Sequence, residues 1–167
     1  MLLYLKLYKH IKKILMIKIE VLIKDKNWKK YLSNPNRYLN SQAKKINLEK
    51  YFRSKLINIS ILLTGNNDIR LLNKKFRKKN KTTDVLSFPS YDQNTIKTKL
   101  KSQKNLYLGD IALNLYKIDR EKNKFKSEFD KLWVHGLVHL MGYKHYKNKD
   151  FFKMKKIEDK IINQLKC

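Results

Sequence analysis

Three of the chain's four histidines stand close together, at positions 135, 139 and 145. On an α-helix, residues four apart lie on one face, so His135 and His139 would present their rings side by side. Gly142 suits the left-handed residue that ends a helix, after which the chain can turn back and bring His145 beside the other two. Three neutral imidazoles around one point are the ligands of a zinc ion with an open fourth position. The spacing therefore predicts a metal site, and three ordinary helix histidines are the alternative.

The histidines fall within a longer amphipathic segment. Ser127 to Asp130 have the spacing of a capping box, which predicts that a helix begins near Ser127. Apolar residues then recur at helical spacing and form one stripe: Phe129, Leu132, Trp133, Leu137, Leu140 and Met141. The segment is therefore predicted to be a core helix, with the metal site at the edge of its buried face.

The rest of the chain predicts a small sheet packed with helices. Alternating and β-branched residues predict four strands, at 17–23, 56–64, 82–89 and 106–113. Spacing and caps predict helices near 37–53, 66–81, 114–123, 127–141 and from about 148 onward, whereas 90–104 is predicted as a long loop. Because the third and fourth strands follow each other without a helix, we expect a mixed sheet. The prediction is a single α+β domain with a small mixed four-stranded sheet and about five helices.

The net charge of +26 suggests an anionic partner such as nucleic acid. Lysine is abundant along the whole chain, however, so much of the charge belongs to a solvated surface. Only a local concentration carries information, and the densest is the run from Lys74 to Lys81, KKFRKKNK.

Features near the two ends of the chain indicate its compartment and the limits of its domain. Cys167 is the single cysteine, which excludes an intrachain disulfide and fits a reducing cytoplasm. No apolar stretch reaches the length of a membrane span. Residues 1–15 are both apolar and basic, which is typical of an extension or of a helix lying on a membrane surface. We predict that 1–15 form an N-terminal extension outside the fold and that 16–167 form the domain.

The histidine spacing also occurs in metalloproteases of the metzincin type. Those enzymes need a glutamate directly after the first histidine, as the general base. In this chain that position is Gly136, which has no side chain to accept a proton. The protease interpretation therefore lacks its base.

Four blocks together resemble the YbeY family of bacterial endoribonucleases and rRNA maturation factors. They are His135–His145 (HGLVHLMGYKH), Leu72–Arg77 (LNKKFR), Thr83–Pro89 (TDVLSFP) and Leu108–Ile111 (LGDI). The resemblance runs from about Met16 to Gln164. It implies an α+β metalloprotein with one zinc ion on His135, His139 and His145. It also implies a cytoplasmic enzyme that cleaves single-stranded RNA, matures the 3′ end of small-subunit rRNA and serves ribosome quality control.

The resemblance also suggests roles for three further residues. Arg77 matches the family's arginine, and its guanidinium can bind phosphate oxygens and stabilise a transition state. The alternative is that Arg77 is one more solvated residue of the basic run. Asp84 is expected to fix backbone geometry at a turn, with the role of a proton acceptor or of a partner to a ligand histidine as the alternative. Asp110 is a candidate catalytic residue, as a proton acceptor or a partner of a ligand histidine, with a structural hydrogen bond as the alternative.

One position departs from the family. Lys144 precedes the last histidine, where the family usually has aspartate. We expect Lys144 to point to solvent and zinc binding to survive. A different functional class also stays open, a ribosome-assembly factor that binds RNA and uses its metal only structurally. That class would need a fourth protein ligand, and no cysteine or spare histidine is nearby.

Overall fold

The computed structural model describes residues 16–48, 52, 55–144 and 148–166. Residues 1–15, His145 and Cys167, on which several predictions fall, lie outside the described residues. Four strands and five α-helices occur in the described part: β1 Met16–Ile23, α1 Pro35–Lys45, β2 Leu56–Thr64, α2 Asn66–Arg77, β3 Val85–Pro89, α3 Gln93–Ser102, β4 Asn105–Asn114, α4 Phe125–Leu140 and α5 Asn148–Lys166. None of these helices combines the length and the apolar character that crossing a membrane requires.

The strands form one sheet in the order β1-β2-β4-β3. β1, β2 and β4 run parallel, whereas β3 pairs antiparallel with β4, so that Val85 lies opposite Leu113. β3 is an edge strand that ends at Pro89, which suits an edge because proline has no amide proton for the ladder. The predicted α+β class, the mixed four-stranded sheet and the number of helices are confirmed.

Helices cover the two faces of the sheet unequally. On the inner face α1 packs on β1, α4 packs on β3 and β4, and α5 packs on α4. The main core lies between these helices and inward residues such as Ile61 and Ile111. On the outer face α2 packs over a small cluster of Ile69, Leu86 and Ala112. The inner face is therefore the one that carries the histidine helix.

Two predictions about the middle of the chain are wrong. Residues 90–104, predicted as a loop, contain α3, and Asp92 caps this helix by accepting a hydrogen bond from the Thr95 amide at 2.7 Å. Ile96 is the buried residue of α3, so the apolar spacing that reveals most helices is missing. The predicted helix at 114–123 is only a 3-10 turn, Leu115–Lys117.

The predicted start of the histidine helix is also wrong. α4 begins at Phe125, and no side chain caps it. Phe125 stacks on Tyr31 with ring centroids 4.7 Å apart and on Phe129 at 6.0 Å. Packing of these aromatic rings therefore holds the first turn, where the sequence suggested a capping box at Ser127.

Candidate active site

Helix α4 places His135 and His139 on one face, as their spacing predicts. The ring centroids are 4.6 Å apart with an interplanar angle of 86°, and the two Nε2 atoms are 3.1 Å apart. Both residues are partly buried, at the edge of the apolar face of α4. The side chains thus direct one nitrogen each toward a common point.

The other nitrogen of each ring faces a hydrogen-bond acceptor. The Nδ1 atom of His135 is 2.8 Å from Oε1 of Glu158, and Nδ1 of His139 is 2.9 Å from the backbone oxygen of Tyr143. Because a carboxylate and a carbonyl only accept hydrogen bonds, we assign the proton of each ring to Nδ1. Each Nε2 then carries a lone pair, which is the form of histidine that binds a metal.

The pair fits a zinc ion in its distance as well as in its chemistry. Two nitrogens at about 2.0–2.1 Å from one tetrahedral zinc ion would be roughly 3.3 Å apart, close to the observed 3.1 Å. Within residues 16–48, 52, 55–144 and 148–166, no group of three histidine, cysteine or acidic side chains is placed to hold a metal. The predicted third ligand, His145, lies outside these residues, so the complete zinc site stays a prediction.

The turn after α4 has the form that Gly142 predicts. Gly142 has φ of +86°, a left-handed conformation that glycine adopts readily. Its amide donates to the backbone oxygen of His139 at 2.9 Å, and the Tyr143 amide donates to that of Val138 at 3.3 Å. This turn brings the Tyr143 oxygen to Nδ1 of His139, so it positions the ring as well as ending the helix.

His139 borders a positively charged cleft. A cavity of about 680 Å³ opens beside His139, lined by Arg77, Lys79, Ser87, Tyr91, Asp92, His139 and Lys144 among others. Hydrogen bonds from the Thr95 amide and side chain hold the pKa of Asp92 below its usual value. Three cations against one carboxylate give the cleft a net positive charge, which suits an anionic substrate.

Arg77 reaches this cleft because of the way α2 ends. Arg77 is the last residue of the helix, and Lys78 follows with φ of +58°. The buried Asn73 fixes the turn, because its side chain donates to the Lys81 oxygen at 2.8 Å and its own backbone oxygen accepts from the Lys79 amide at 3.3 Å. The structure therefore brings Arg77 into the same cavity as His139, as the sequence suggested.

Asp84 and Asp110 lie elsewhere. The carboxylate of Asp84 accepts hydrogen bonds from the Val85 amide at 2.8 Å and the Thr83 hydroxyl at 3.0 Å, which is the expected turn geometry. Asp110 precedes Ile111 on β4, so the two side chains point to opposite faces of the sheet. It accepts from the Tyr107 hydroxyl at 2.5 Å on the outer face. The structure does not bring Asp110 to the histidines, against the role suggested for it.

Gly136 faces the core. A Cβ atom there would lie 2.8 Å from the Ile111 side chain, so the missing side chain lets α4 pack closely on β4. A glutamate at this position would point at the sheet and away from the cleft. The geometry is thus a stronger argument against the protease interpretation than the missing base, because even a glutamate at this position could not serve the cleft. Lys144 is exposed at the cleft, in keeping with the expectation that it faces solvent.

Glu158 is the site residue that sequence reasoning missed. It lies on α5 with its side chain 16% exposed, 23 residues after the histidine that it contacts. A signal existed, since Glu158 borders Ile157 and Ile161 of the buried stripe of α5. An acidic residue at the edge of a buried face is a candidate for a pairing with the neighbouring helix.

Comparisons with known proteins agree with the blocks found in the sequence. A family model described as Endoribonuclease YbeY matches residues 18–166. An endoribonuclease YbeY from Pelagibacter ubique is 41% identical over 155 residues, which cover 90% of this chain and 97% of that protein. Another from a Wolbachia species of Drosophila simulans is 35% identical over 88% of this chain and 95% of that protein. A Thermotoga maritima protein solved in solution has a similar fold, with a TM-score of 0.54, 23% identity and coverage of 88% of each chain.

Proposed function

The chain belongs to the YbeY family of endoribonucleases, and on that premise we propose that it is a zinc-dependent endoribonuclease acting on single-stranded RNA. The observation that carries the proposal is the His135–His139 pair, whose Nε2 atoms meet beside a positively charged cleft. The proposed substrate is rRNA, with the 3′ end of the small-subunit RNA as the cleavage region. Ribosome quality control and a cytoplasmic location belong to the same proposal.

The two histidines, with His145 as third ligand, would hold the zinc ion. When bound, the ion supplies a Lewis acid that polarises a phosphoryl oxygen and activates water. Glu158 and the Tyr143 oxygen keep the proton of each ring on Nδ1, so that Nε2 stays available as a ligand. These two acceptors also stop the rings from rotating. The rings of His135 and His139 therefore hold a fixed orientation before a zinc ion or RNA binds.

The cations of the cleft bind and orient the RNA backbone. The guanidinium of Arg77 can donate two parallel hydrogen bonds to one phosphate, and the ammonium of Lys79 adds a second positive charge in the same cavity. Both groups stabilise the negative charge that grows on the phosphate during cleavage. This arrangement favours a nucleic-acid substrate over a peptide, because the peptide backbone is uncharged.

The test compares the wild type with His139→Ala on single-stranded RNA, together with metal analysis of each purified protein. We expect about one zinc ion per wild-type chain, and a loss of both zinc and cleavage in the variant, cleavage falling at least about a hundredfold because a ligand is removed. His10→Ala is the matched control, since His10 lies outside the segment that matches the family. It should keep both properties.

Two outcomes would contradict the proposal. Equal cleavage by the wild type and His139→Ala would point to a contaminating nuclease and favour an RNA-binding assembly factor with a structural metal. Cleavage of casein that a chelator abolishes would favour the protease.

A further inference from the structure

Two phenylalanines on α5 face solvent. Phe151 is 52% exposed and Phe152 is 69% exposed, and their ring centroids are 5.9 Å apart at an interplanar angle of 75°. The helix buries a different set of residues, at helical spacing: Met154, Ile157, Ile161 and Leu165. The core of the described part therefore does not account for this aromatic pair.

The pair lies close to the candidate active site. Phe151 is two helical turns before Glu158 and nearly on the same helix face, which separates the two residues by roughly 10 Å along the axis. Glu158 contacts His135, and His139 in turn lines the cleft that contains Arg77. The histidine pair thus connects the cleft to the helix that carries the phenylalanines.

Lysines flank Phe152 on α5, whereas Asp150 directly precedes Phe151. Lys149 and Lys156 lie three residues before and four residues after Phe152, which places them beside it on the helix. Both lysines are exposed, and neither forms an ion pair with any residue that the structure describes. Lys155 differs, because it pairs with Asp159 at 2.7 Å. The surface therefore combines aromatic faces with cations that phosphates can approach.

We propose that Phe151 and Phe152, with Lys149 and Lys156, form a stacking surface that binds the bases of single-stranded RNA next to the candidate active site. The inference rests on the proposed function and adds where the substrate runs beyond the cleft. Aromatic rings stack on unpaired bases of any sequence, while lysines follow the backbone. In a duplex the bases are already stacked on each other, so this surface favours single strands. The flanking cations favour RNA over an apolar protein partner as the occupant.

The test measures RNA affinity and cleavage for three double variants of the phenylalanine pair and, separately, for Lys149→Ala/Lys156→Ala, all in the full, zinc-loaded chain, with Leu22→Ala as the control. Phe151→Ala/Phe152→Ala removes the rings, Phe151→Leu/Phe152→Leu keeps apolar bulk, and Phe151→Tyr/Phe152→Tyr keeps the rings. Leu22 is 65% exposed on the outer face of the sheet, far from the site. Neither the three phenylalanine variants nor Leu22→Ala alters charge, so differences among these four proteins report stacking.

We expect the Ala and Leu pairs to bind single-stranded RNA at least about fivefold more weakly and to raise KM, with kcat unchanged. The Tyr pair and Leu22→Ala should match the wild type. A base analogue such as 2-aminopurine in the RNA should lose its stacking-dependent fluorescence quenching with the Ala and Leu pairs. Lys149→Ala/Lys156→Ala should instead lower the salt dependence, by about 1.4 in the slope of log affinity against log salt.

The stacking proposal is overturned if the Ala pair binds RNA as well as the wild type, or if the wild type binds no single-stranded RNA. It is also overturned if the Leu pair equals the Tyr pair, since apolar bulk then suffices, as for a protein partner. A wild type that binds RNA through these rings without cleaving it would instead contradict the proposed activity and leave the stacking surface standing.

Discussion

Two cavities, the cleft beside His139 and a groove on the outer face of the sheet, differ in the side chains that line them. The cleft holds His139, Arg77 and Lys79 in about 680 Å³. The outer groove, about 550 Å³, is lined mainly by apolar residues, with two carboxylates among them: Leu22, Leu62, Leu72, Phe76, Phe88, Glu20 and Asp110. An apolar groove of this size would ordinarily be the first choice as a ligand site. Among the described residues, however, only the cleft beside His139 has converging histidine nitrogens, so we assign the active site to this cleft.

In strand β4, adjacent residues face the two different sides of the sheet. Asp110 points into the outer groove and the next residue, Ile111, packs under α4. Since strand residues alternate between faces, a shift of one position would exchange the two environments. A carboxylate in a family block is thus no evidence for a place in the active site. Variants of Glu158, Arg77 and Asp110 test whether the reaction depends on the cleft beside His139 and not on the outer groove.

Among the residues that do not bind the metal themselves, the largest effect is expected at Glu158. Replacing it by alanine removes the acceptor that orients His135, and loss of such a partner typically costs about 10- to 100-fold in metal affinity. Zinc affinity is measured by competition with a chromogenic chelator. Asp159→Ala is the matched control, because Asp159 is exposed and pairs only with Lys155 on its own helix in the described part.

Glu158→Gln gives an intermediate case, since its amide oxygen still accepts a hydrogen bond but carries no charge. If Glu158→Ala bound zinc as tightly as Asp159→Ala, the contact with His135 would have no part in holding the metal.

Helices α4 and α5 show how much of the candidate site can be predicted from the sequence. The i, i+4 spacing of His135 and His139 and the left-handed Gly142 follow from local helix geometry, and the structure confirms them. Glu158 could not be found in this way, because its contact depends on how α5 packs on α4. Helix α3 was missed for a different reason, since one buried residue gives no amphipathic pattern.

A smaller effect is expected at Arg77. Arg77→Ala should lower kcat/KM for single-stranded RNA about tenfold, the size of one charge-assisted phosphate contact, while zinc content stays normal. Arg77→Lys should recover part of the loss, because an ammonium keeps the charge without the two-pronged geometry. Arg70→Ala on the same helix is the control, since Arg70 is exposed and does not line the cleft.

Equal losses of kcat/KM for Arg70→Ala and Arg77→Ala would mean that the total positive charge matters and the position of each cation does not. Apart from the resemblance that singled out Arg77, the sequence could not separate the cations between Lys74 and Lys81, because they form one basic run. The fold separates them: Asn73 fixes the end of α2 and directs Arg77 and Lys79 into the cleft.

The smallest effect is expected at Asp110. This residue lines the outer groove, so it tests the difference between the groove and the cleft beside His139 most directly. Asp110→Asn keeps an acceptor for the Tyr107 hydroxyl and changes one exposed charge in a chain of net charge +26. Because the side chain lies on the outer face, zinc content should be unchanged and kcat/KM should stay within about twofold, the change in stability being within about 0.5 kcal/mol, as for ordinary surface positions. Cleavage assays and thermal unfolding of the purified variant measure these quantities. A loss of kcat/KM as large as that of Arg77→Ala, in a folded protein with its full zinc, would show that the outer groove takes part in the reaction. The reaction would then not depend on the cleft beside His139 alone.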